Sequence, residues 1–263
     1  SAPDHRSRVI AGLNILNALF MVVAALLAML ILGPAGLTIP DLFLISALLN
    51  AAVAVYIFTL VPEFLMRFLV WLLIHTIYRV RVTGMDRIPM EGPVIVASNH
   101  VSFVDPLIIG GMIRRPVRFV MHYKIYRIPV LKFIFKTGKA IPIAGRSEDP
   151  VVLENAYRRM HEVLAAGDVL GIFPEGRITA DGEIGGFKPG IDKLIAERPV
   201  PVVPIALCHL WGSLFSRRDA LHKRRPNKLW ARIEMRVGAA IPPAEVSAAR
   251  LEAEIRQLRG ADR

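Results

Sequence analysis

Two side chains that follow a short apolar run could carry proton-transfer chemistry. His100 comes directly after the run Val94–Ala97, and Asp105 follows five residues later. A carboxylate bonded to one ring nitrogen of histidine fixes the tautomer and makes the other nitrogen a better base. On one continuous helix the two residues would lie about 140° apart, so they can meet only if the chain folds back between them. Alternatively, His100 satisfies loop backbone groups and Asp105 caps a helix that begins at Pro106.

A second candidate site follows another apolar run, Val169–Phe173. Pro174 and Gly176 indicate a turn there, and Glu175 and Arg177 bring a carboxylate and a guanidinium to it. Arginine binds phosphate through two parallel hydrogen bonds, which makes Arg177 a candidate phosphate ligand. Alternatively, Glu175 and Arg177 pair with each other in a surface turn.

These turns need a common scaffold, and the surrounding residues predict a sheet. Six short runs have the character of strands: Val94–Ala97, Val117–Met121, Ala140–Ile143, Val169–Phe173, Val200–Leu207 and Trp230–Val237. Helices are expected over roughly 150–166 and 246–258. Strands alternating with helices predict an α/β domain over residues 83–263, a mixed sheet flanked by helices. Such folds bind ligands at the carboxyl ends of their strands, where both turns and the loop residue Arg146 would lie.

The first 63 residues have a different composition and predict a membrane hairpin. Residues 9–32 and 42–61 are uncharged stretches of 24 and 20 residues, each long enough to cross a bilayer. Lys and Arg flank the outer ends and are absent from the linker, so both ends are expected in the cytoplasm. Residues 64–82 are apolar and aromatic, and they predict an interfacial helix or linker; a core helix of the next domain is the alternative.

The overall balance of residues excludes several classes of protein. The hydrophobic fraction is 54% and the formal net charge is +11, with a single cysteine, which excludes an intrinsically disordered chain and a disulfide scaffold. The tract Arg114–Lys139 holds eight Lys and Arg and no acid, and Arg217–Lys228 is also basic. Such tracts suit anionic membrane lipids, an acidic carrier protein or the phosphates of coenzyme A. With a membrane hairpin present, no nucleic-acid partner is expected, and the histidines lack metal-ligand spacing.

Taken together, four short blocks resemble those of the glycerolipid acyltransferase family, the PlsC-like enzymes. The blocks are His-x4-Asp, an arginine after a proline-containing strand, Phe-Pro-Glu-Gly at 173–176, and Val-Pro-Val-Val-Pro-Ile at 200–205, and the resemblance covers roughly residues 75–240. It implies that His100 is a general base and Asp105 its orienting partner. It also implies an acceptor head-group site formed by Arg146, Glu175, Gly176 and Arg177.

The resemblance implies a membrane-bound O-acyltransferase. The enzyme would move a fatty acyl group from acyl-CoA or acyl-carrier protein to the free hydroxyl of a lysophospholipid, of the lysophosphatidic acid or lysophosphatidylethanolamine type. Transfer would be direct, without an acyl-enzyme, a metal or a cofactor. The catalytic domain is expected on the cytoplasmic side of the inner membrane.

The third block departs from the common family pattern in one position. Arg177 follows Gly176 directly, whereas the family usually has a small hydroxyl residue between them. The run is closer to the acyltransferase part of the bifunctional 2-acylglycerophosphoethanolamine acyltransferase/acyl-carrier-protein synthetase. Related domains are fused to a lysophospholipid transporter, and the two spans would then be its last helices.

Two other functions remain as alternatives. Ser102 could be the nucleophile of a lipid hydrolase or thioesterase with His100 as its base, although the chain contains no Gly-x-Ser-x-Gly elbow. A non-catalytic, membrane-tethered lipid-binding domain is the second alternative.

Overall fold

The chain divides into two compact units, Ser1–Val61 and Pro62–Arg263. The computed structural model describes residues 3–126, 129–213, 215–216 and 230–262. The basic tract Arg217–Lys228 therefore lies outside the described residues.

The first unit consists of two apolar helices, α1 (Pro3–Leu32) and α2 (Ile39–Leu60). Residues 7–32 and 39–60 are long and apolar enough to cross a membrane, by length and composition. A capping box starts α2, in which the backbone N–H and the hydroxyl of Thr38 donate to Asp41 Oδ2 at 2.9 and 2.6 Å. The two predicted spans thus correspond to two helices that form a candidate hairpin.

The second unit is built on a seven-stranded mixed sheet. Its strands are β1 (Arg79–Thr83), β2 (Val94–Ser98), β3 (Val117–His122), β4 (Ile141–Ile143), β5 (Val169–Ile172), β6 (Val202–Cys208) and β7 (Arg232–Val237). Their order is β1-β7-β6-β2-β5-β3-β4. Only the β6–β7 pairing is antiparallel among the described strands. The mixed α/β sheet expected from the sequence is confirmed.

The central strand β2 explains why apolar runs mark this sheet. All five of its residues are buried, because both faces of the sheet are covered. Val94 and Val96 pack into the core on one face, whereas Ile95 and Ala97 pack into the core on the other. The parallel neighbours β5 and β6 place their carboxyl ends beside that of β2.

Helices cover the sheet on its two faces. They are α3 (Pro62–Ile77), α4 (Asp105–Met112), α5 (Tyr123–Tyr126), α6 (Pro129–Thr137), α7 (Pro150–Ala165), α8 (Gly190–Glu197) and α9 (Ala248–Arg259), with 3-10 turns at Met85–Arg87 and Pro243–Glu245. Residues of α3 and α4 join one core, and residues of α7, α8 and α9 join the other. The helices expected near 150–166 and 246–258 are confirmed as α7 and α9.

Strand β1 was not among the predicted strands. The sequence analysis placed all of its residues except Thr83 in the interfacial helix or linker 64–82, but the structure ends α3 at Ile77 and pairs Arg79–Thr83 with β7. Arginines and apolar residues alternate in β1, because it is an edge strand with one exposed face. Its partner lies about 150 residues later, and no local pattern reveals that pairing.

Candidate active site

The turn after β2 brings His100 and Asp105 together. His100 Nδ1 lies 2.8 Å from Asp105 Oδ2, and the histidine side chain is 17% exposed while the carboxylate is fully buried. The same Oδ2 accepts hydrogen bonds from the backbone N–H groups of Val101 and Ser102, at 2.7 and 2.9 Å. One carboxylate oxygen thus gathers three donors, and this is what folds the chain back. With an ionised carboxylate and a neutral imidazole, Nδ1 carries the proton and Nε2 keeps a free lone pair.

The preceding residue fastens this turn to the sheet. Asn99 is buried, and its side-chain amide makes a pair of hydrogen bonds with the backbone of Leu207 in β6, at 2.8 and 3.0 Å. The sequence analysis did not assign a role to Asn99. An asparagine after a buried strand carries no sign of a backbone partner 108 residues away.

The imidazole is also held through its ring face. The His100 ring stacks on Phe173 with centroids 4.1 Å apart, and Phe173 stacks on Phe119 at 5.9 Å. Phe119 in turn leans against Gly171 of β5, where a Cβ would come within 2.5 Å of the phenyl ring. A hydrogen bond at the ring edge and an aromatic stack on its face therefore fix the direction of Nε2.

Glu175 joins the turn after β5 to the turn after β2. Its Oε1 accepts the His100 backbone N–H at 2.7 Å, and its Oε2 accepts that of Gly185 at 2.7 Å. Burial raises the pKa of Glu175, and the two backbone hydrogen bonds oppose that rise. The alternative in which Glu175 pairs with Arg177 is wrong, because both oxygens bind backbone amides instead.

The two residues after Glu175 lie at the surface. Gly176 has a φ of +66°, a left-handed conformation that favours glycine, and a Cβ there would meet Lys188 Nζ at 2.7 Å. The ammonium of Lys188 therefore lies over this turn, a position that its sequence context did not reveal. Arg177 is exposed, and it makes no hydrogen bond or ion pair with the part of the chain that the structure describes.

Arg146 lies apart from these residues. It follows the edge strand β4, three strands from β2, which corresponds to about 14 Å at the usual strand spacing. Its exposed side chain lines a shallow cavity of about 380 Å³ with Tyr157 and Lys193, among others. The structure thus brings His100, Asp105, Glu175 and Gly176 together with Arg177 beside them, and it places Arg146 at the sheet edge.

Two further side chains bear on the chemistry. Ser102 is fully buried, and its hydroxyl donates to the Phe215 carbonyl at 2.8 Å. It is therefore badly placed for a nucleophile. Among the described residues, no three His, Cys, Asp or Glu side chains come together as a metal site requires.

Comparison with known proteins adds three findings. Residues 79–208 match the family described as Acyltransferase. A chloroplast 1-acyl-sn-glycerol-3-phosphate acyltransferase of Arabidopsis thaliana is 29% identical over 51% of this chain and 37% of its own length. The 1-acyl-sn-glycerol-3-phosphate acyltransferase of Pseudomonas aeruginosa is 30% identical over 53% of this chain and 54% of its own. The chain thus spans about half, or less, of the length of these relatives.

The crystal structure of the 1-acyl-sn-glycerophosphate acyltransferase PlsC from Thermotoga maritima is similar in fold. It superimposes with a TM-score of 0.58, and the match covers 93% of this chain and 95% of that one at 18% identity.

Proposed function

This chain belongs to the acyltransferase family of PlsC-like enzymes, and on that premise we propose that it transfers a fatty acyl group from a thioester to a lysophospholipid. The observation that carries the proposal is the 2.8 Å contact between His100 and Asp105 at the carboxyl end of β2. It supplies a base with a free Nε2 at the edge of the sheet where α/β folds hold ligands. The printed names of the relatives, 1-acyl-sn-glycerol-3-phosphate acyltransferases, favour a lysophosphatidic acid acceptor.

The reaction needs no covalent enzyme intermediate. His100 Nε2 takes the proton of the free glycerol hydroxyl as that oxygen attacks the thioester carbonyl. The tetrahedral adduct then expels the thiolate by breaking its C–S bond, and the imidazolium returns the proton to sulfur. A positioned base of this kind accelerates proton transfer by about 10²–10⁴-fold, so orientation of the two substrates must supply much of the rest.

The acceptor phosphate is assigned to the cationic side chains around the turn after β5. The exposed guanidinium of Arg177 is free to bind it, and the ammonium of Lys188 lies beside Gly176. Arg146 would act at the outer end of the same head-group site. Glu175 would serve by holding the two turns together, because backbone amides already occupy both of its oxygens.

The donor is assigned to the basic tract Arg114–Lys139. Lys124, Lys132 and Lys136 are exposed there and suit an anionic donor, either acyl-CoA or acyl-carrier protein. Two other basic residues of this tract stabilise the fold instead. Arg115 donates to three backbone carbonyls, and Arg118 is buried against Glu63.

The membrane would supply both lipid substrates. We assign residues 1–63 to a membrane hairpin and the helical part of the 64–82 segment, which ends with α3 at Ile77, to the interface, with the α/β domain on the cytoplasmic side of the inner membrane. Two observations support this. The helices α1 and α2 are apolar enough to span, and α3 exposes Phe64 and Trp71, at 67% and 44%, while it buries Ile74. Fusion to a lysophospholipid transporter remains a prediction from the sequence resemblance.

The test is a mass-spectrometric assay of the full chain in detergent micelles. Lysophosphatidic acid and lysophosphatidylethanolamine are offered with acyl-CoA and with acyl-carrier protein as donors. We expect diacyl product from the wild type and a loss of at least about 10²-fold in the His100→Ala variant, since the base is gone. His161→Ala is the matched control, because it removes another imidazole–carboxylate contact, that with Glu197.

Three outcomes would contradict the proposal. If His100→Ala retained transfer, His100 would not be the base. If the wild type bound vesicles but formed no diacyl product, a non-catalytic lipid-binding role would be favoured. If Ser102→Ala abolished turnover and the wild type accumulated an acyl-enzyme, the hydrolase alternative would be favoured.

A further inference from the structure

The 182–188 loop, which lies between the turn after β5 and the start of α8, is bonded through its backbone to α9. Three polar side chains of α9 make these hydrogen bonds. They join Glu252 Oε2 to the N–H of Phe187, the Arg256 guanidinium to the carbonyl of Ile184, and the Arg259 guanidinium to the carbonyl of Gly182. Because the three positions are spaced by four and then three residues, they lie on one face of the helix.

Apolar residues fix the orientation of that face. Leu251 and Ile255 are fully buried, and they belong to the core that α9 shares with β6. Each directly precedes one of the polar residues Glu252 and Arg256, so the polar stripe borders the buried one. Glu252 Oε1 also accepts from Arg256 Nε at 2.9 Å, which orients the guanidinium toward the loop.

One peptide group of the loop is bonded at both ends. Its carbonyl belongs to Ile184 and accepts from Arg256 Nη2 at 2.5 Å, and its N–H belongs to Gly185 and donates to Glu175 Oε2 at 2.7 Å. The other oxygen of Glu175 accepts the backbone N–H of His100 at 2.7 Å. Hydrogen bonds linked in this way polarise one another, and a charged donor strengthens the first of them. A continuous chain of bonds therefore runs from α9 to the backbone of His100.

The peptide needs this external support because of the residue that follows it. A Cβ at Gly185 would come within 3.1 Å of Glu175 Oε2, so the close approach of the carboxylate requires glycine. Glycine also has the greatest backbone freedom of all residues, so the N–H would lose its direction without a second restraint on the same peptide. The bond from Arg256 to the carbonyl supplies that restraint.

We propose that Arg256 is a positioning residue for acyl transfer, which acts on His100 through the 184–185 peptide and Glu175. The inference rests on the proposed function, because it assigns His100 as the base. When the guanidinium is removed, the Gly185 N–H turns away from Glu175, and the carboxylate no longer holds the backbone of His100 in place. Displacement of the imidazole lowers the rate of the chemical step.

Binding of the acceptor should be affected much less than turnover. Lys188, which is assigned to the acceptor phosphate, has its own anchor, because its backbone N–H donates to the Pro174 carbonyl at 2.9 Å. That bond does not pass through Arg256. The proposed role therefore predicts a change in kcat with little change in the KM for the acceptor.

The experiment compares Arg256→Gln, Arg256→Lys and the control Arg250→Gln with the wild-type chain in detergent micelles. Arg250 is a matched control because it lies on the same helix, pairs with Glu245, and has a side chain that is 42% exposed, as is that of Arg256. The measurements are kcat, the KM for lysophosphatidic acid and the melting temperature. Arg256→Gln is also combined with Glu175→Gln in a double-mutant cycle.

For Arg256→Gln we expect kcat to fall about tenfold and the KM for the acceptor to stay within about twofold of the wild type. Arg256→Lys keeps a charged donor, so it should recover most of the lost kcat. Arg250→Gln should have the kcat of the wild type and a melting temperature close to that of Arg256→Gln. In the Glu175→Gln background, Arg256→Gln should lower kcat by less than about twofold, because the chain of bonds is already broken.

Three results would overturn the inference. They are a wild-type kcat in Arg256→Gln, an equal loss of kcat in Arg250→Gln, and fully additive losses in the double mutant. Absence of transfer by the wild type would instead refute the proposed function.

Discussion

At the scale of single residues, the carboxylate of Glu175 joins two backbone segments. It binds the amides of His100 and Gly185, which lie 75 residues before it and 10 residues after it. A backbone partner has no side-chain identity, so the sequence could not reveal that both oxygens of Glu175 bind backbone amides. The contact between His100 and Asp105 could be predicted from the sequence, because both partners are side chains and they lie five residues apart.

Replacing Glu175 by glutamine tests whether this carboxylate holds the two backbone segments together. The amide NH₂ cannot accept from a backbone N–H, so one of the two hydrogen bonds is lost and a buried donor is left unpaired. We expect a loss of about 1–3 kcal/mol in the free energy of unfolding at pH 7, together with reduced acyl transfer. The exposed change Glu162→Gln, which removes a surface pair with Arg158, should alter stability by no more than about 0.5 kcal/mol. Equal stability of the two variants would contradict a stabilising role for the two hydrogen bonds of Glu175.

The effect of Glu175→Gln on the free energy of unfolding should depend on pH. Burial raises the pKa of Glu175 above its ordinary value of 4.5, so the folded chain holds this proton more tightly than the unfolded chain. The free energy of unfolding therefore falls as the pH rises through the interval between the two values. Since the glutamine variant lacks this titration, the stability difference, wild type minus variant, should decline above about pH 4.5 in denaturant unfolding experiments. A difference that grows with pH would contradict the assignment.

At the scale of elements, some strands could be predicted from the sequence and others could not. The strands β2, β5 and β6 are buried runs between two covered faces, and their apolar residues predicted them. The edge strand β1 alternates arginine with valine and pairs only with β7, so it resembled the end of the preceding helix. The isolated bridge between Ser102 and Ser216 also escaped prediction, because serines in loops give no periodic signal.

Gly171 in β5 leaves space for the side chains of Phe119 and Val117, and Phe119 belongs to the aromatic stack on His100. A Cβ at Gly171 would meet Phe119 at 2.5 Å and Val117 at 2.8 Å, so Gly171→Ala must displace the phenyl ring. Because Phe119 contacts Phe173 and Phe173 contacts His100, the displacement reaches the imidazole. We expect about 1–3 kcal/mol of lost stability and at least about tenfold lower kcat.

The control for this prediction is a glycine with open space around it. A Cβ at Gly186 would meet nothing within 4 Å, so Gly186→Ala should leave both stability and turnover close to the wild type. Thermal unfolding and the acyl-transfer assay measure the two quantities. Full activity in Gly171→Ala would show that the stack does not position His100.

At the scale of the whole molecule, an apolar first unit accompanies an α/β unit that carries the chemistry. The helices of the first unit meet the length and composition needed to cross a bilayer. Composition alone predicted them, because a span requires only length and the absence of charge. The sheet order could not be predicted in this way, since it depends on pairings between distant strands.

The membrane assignment predicts how the full chain behaves on extraction. Washing membranes at alkaline pH removes peripheral proteins, and a chain with two spans should stay in the pellet and be released only by detergent. In sealed vesicles, protease should digest the α/β unit only when it is added to the cytoplasmic face. Release by the alkaline wash, or digestion from the opposite face, would contradict the assignment.

The long-range bonds of the catalytic turn have a consequence for protein synthesis. A ribosome makes His100 well before the two partners that secure its neighbourhood, Glu175 and Leu207. Until β6 has emerged and inserted beside β2, the backbone of Leu207 is not there for Asn99 to bind. The turn that carries His100 then has no fixed conformation. Nascent chains that end before about residue 208 are therefore expected to remain at the translocon without consuming thioesters, so activity begins only when translation of the sheet is nearly complete.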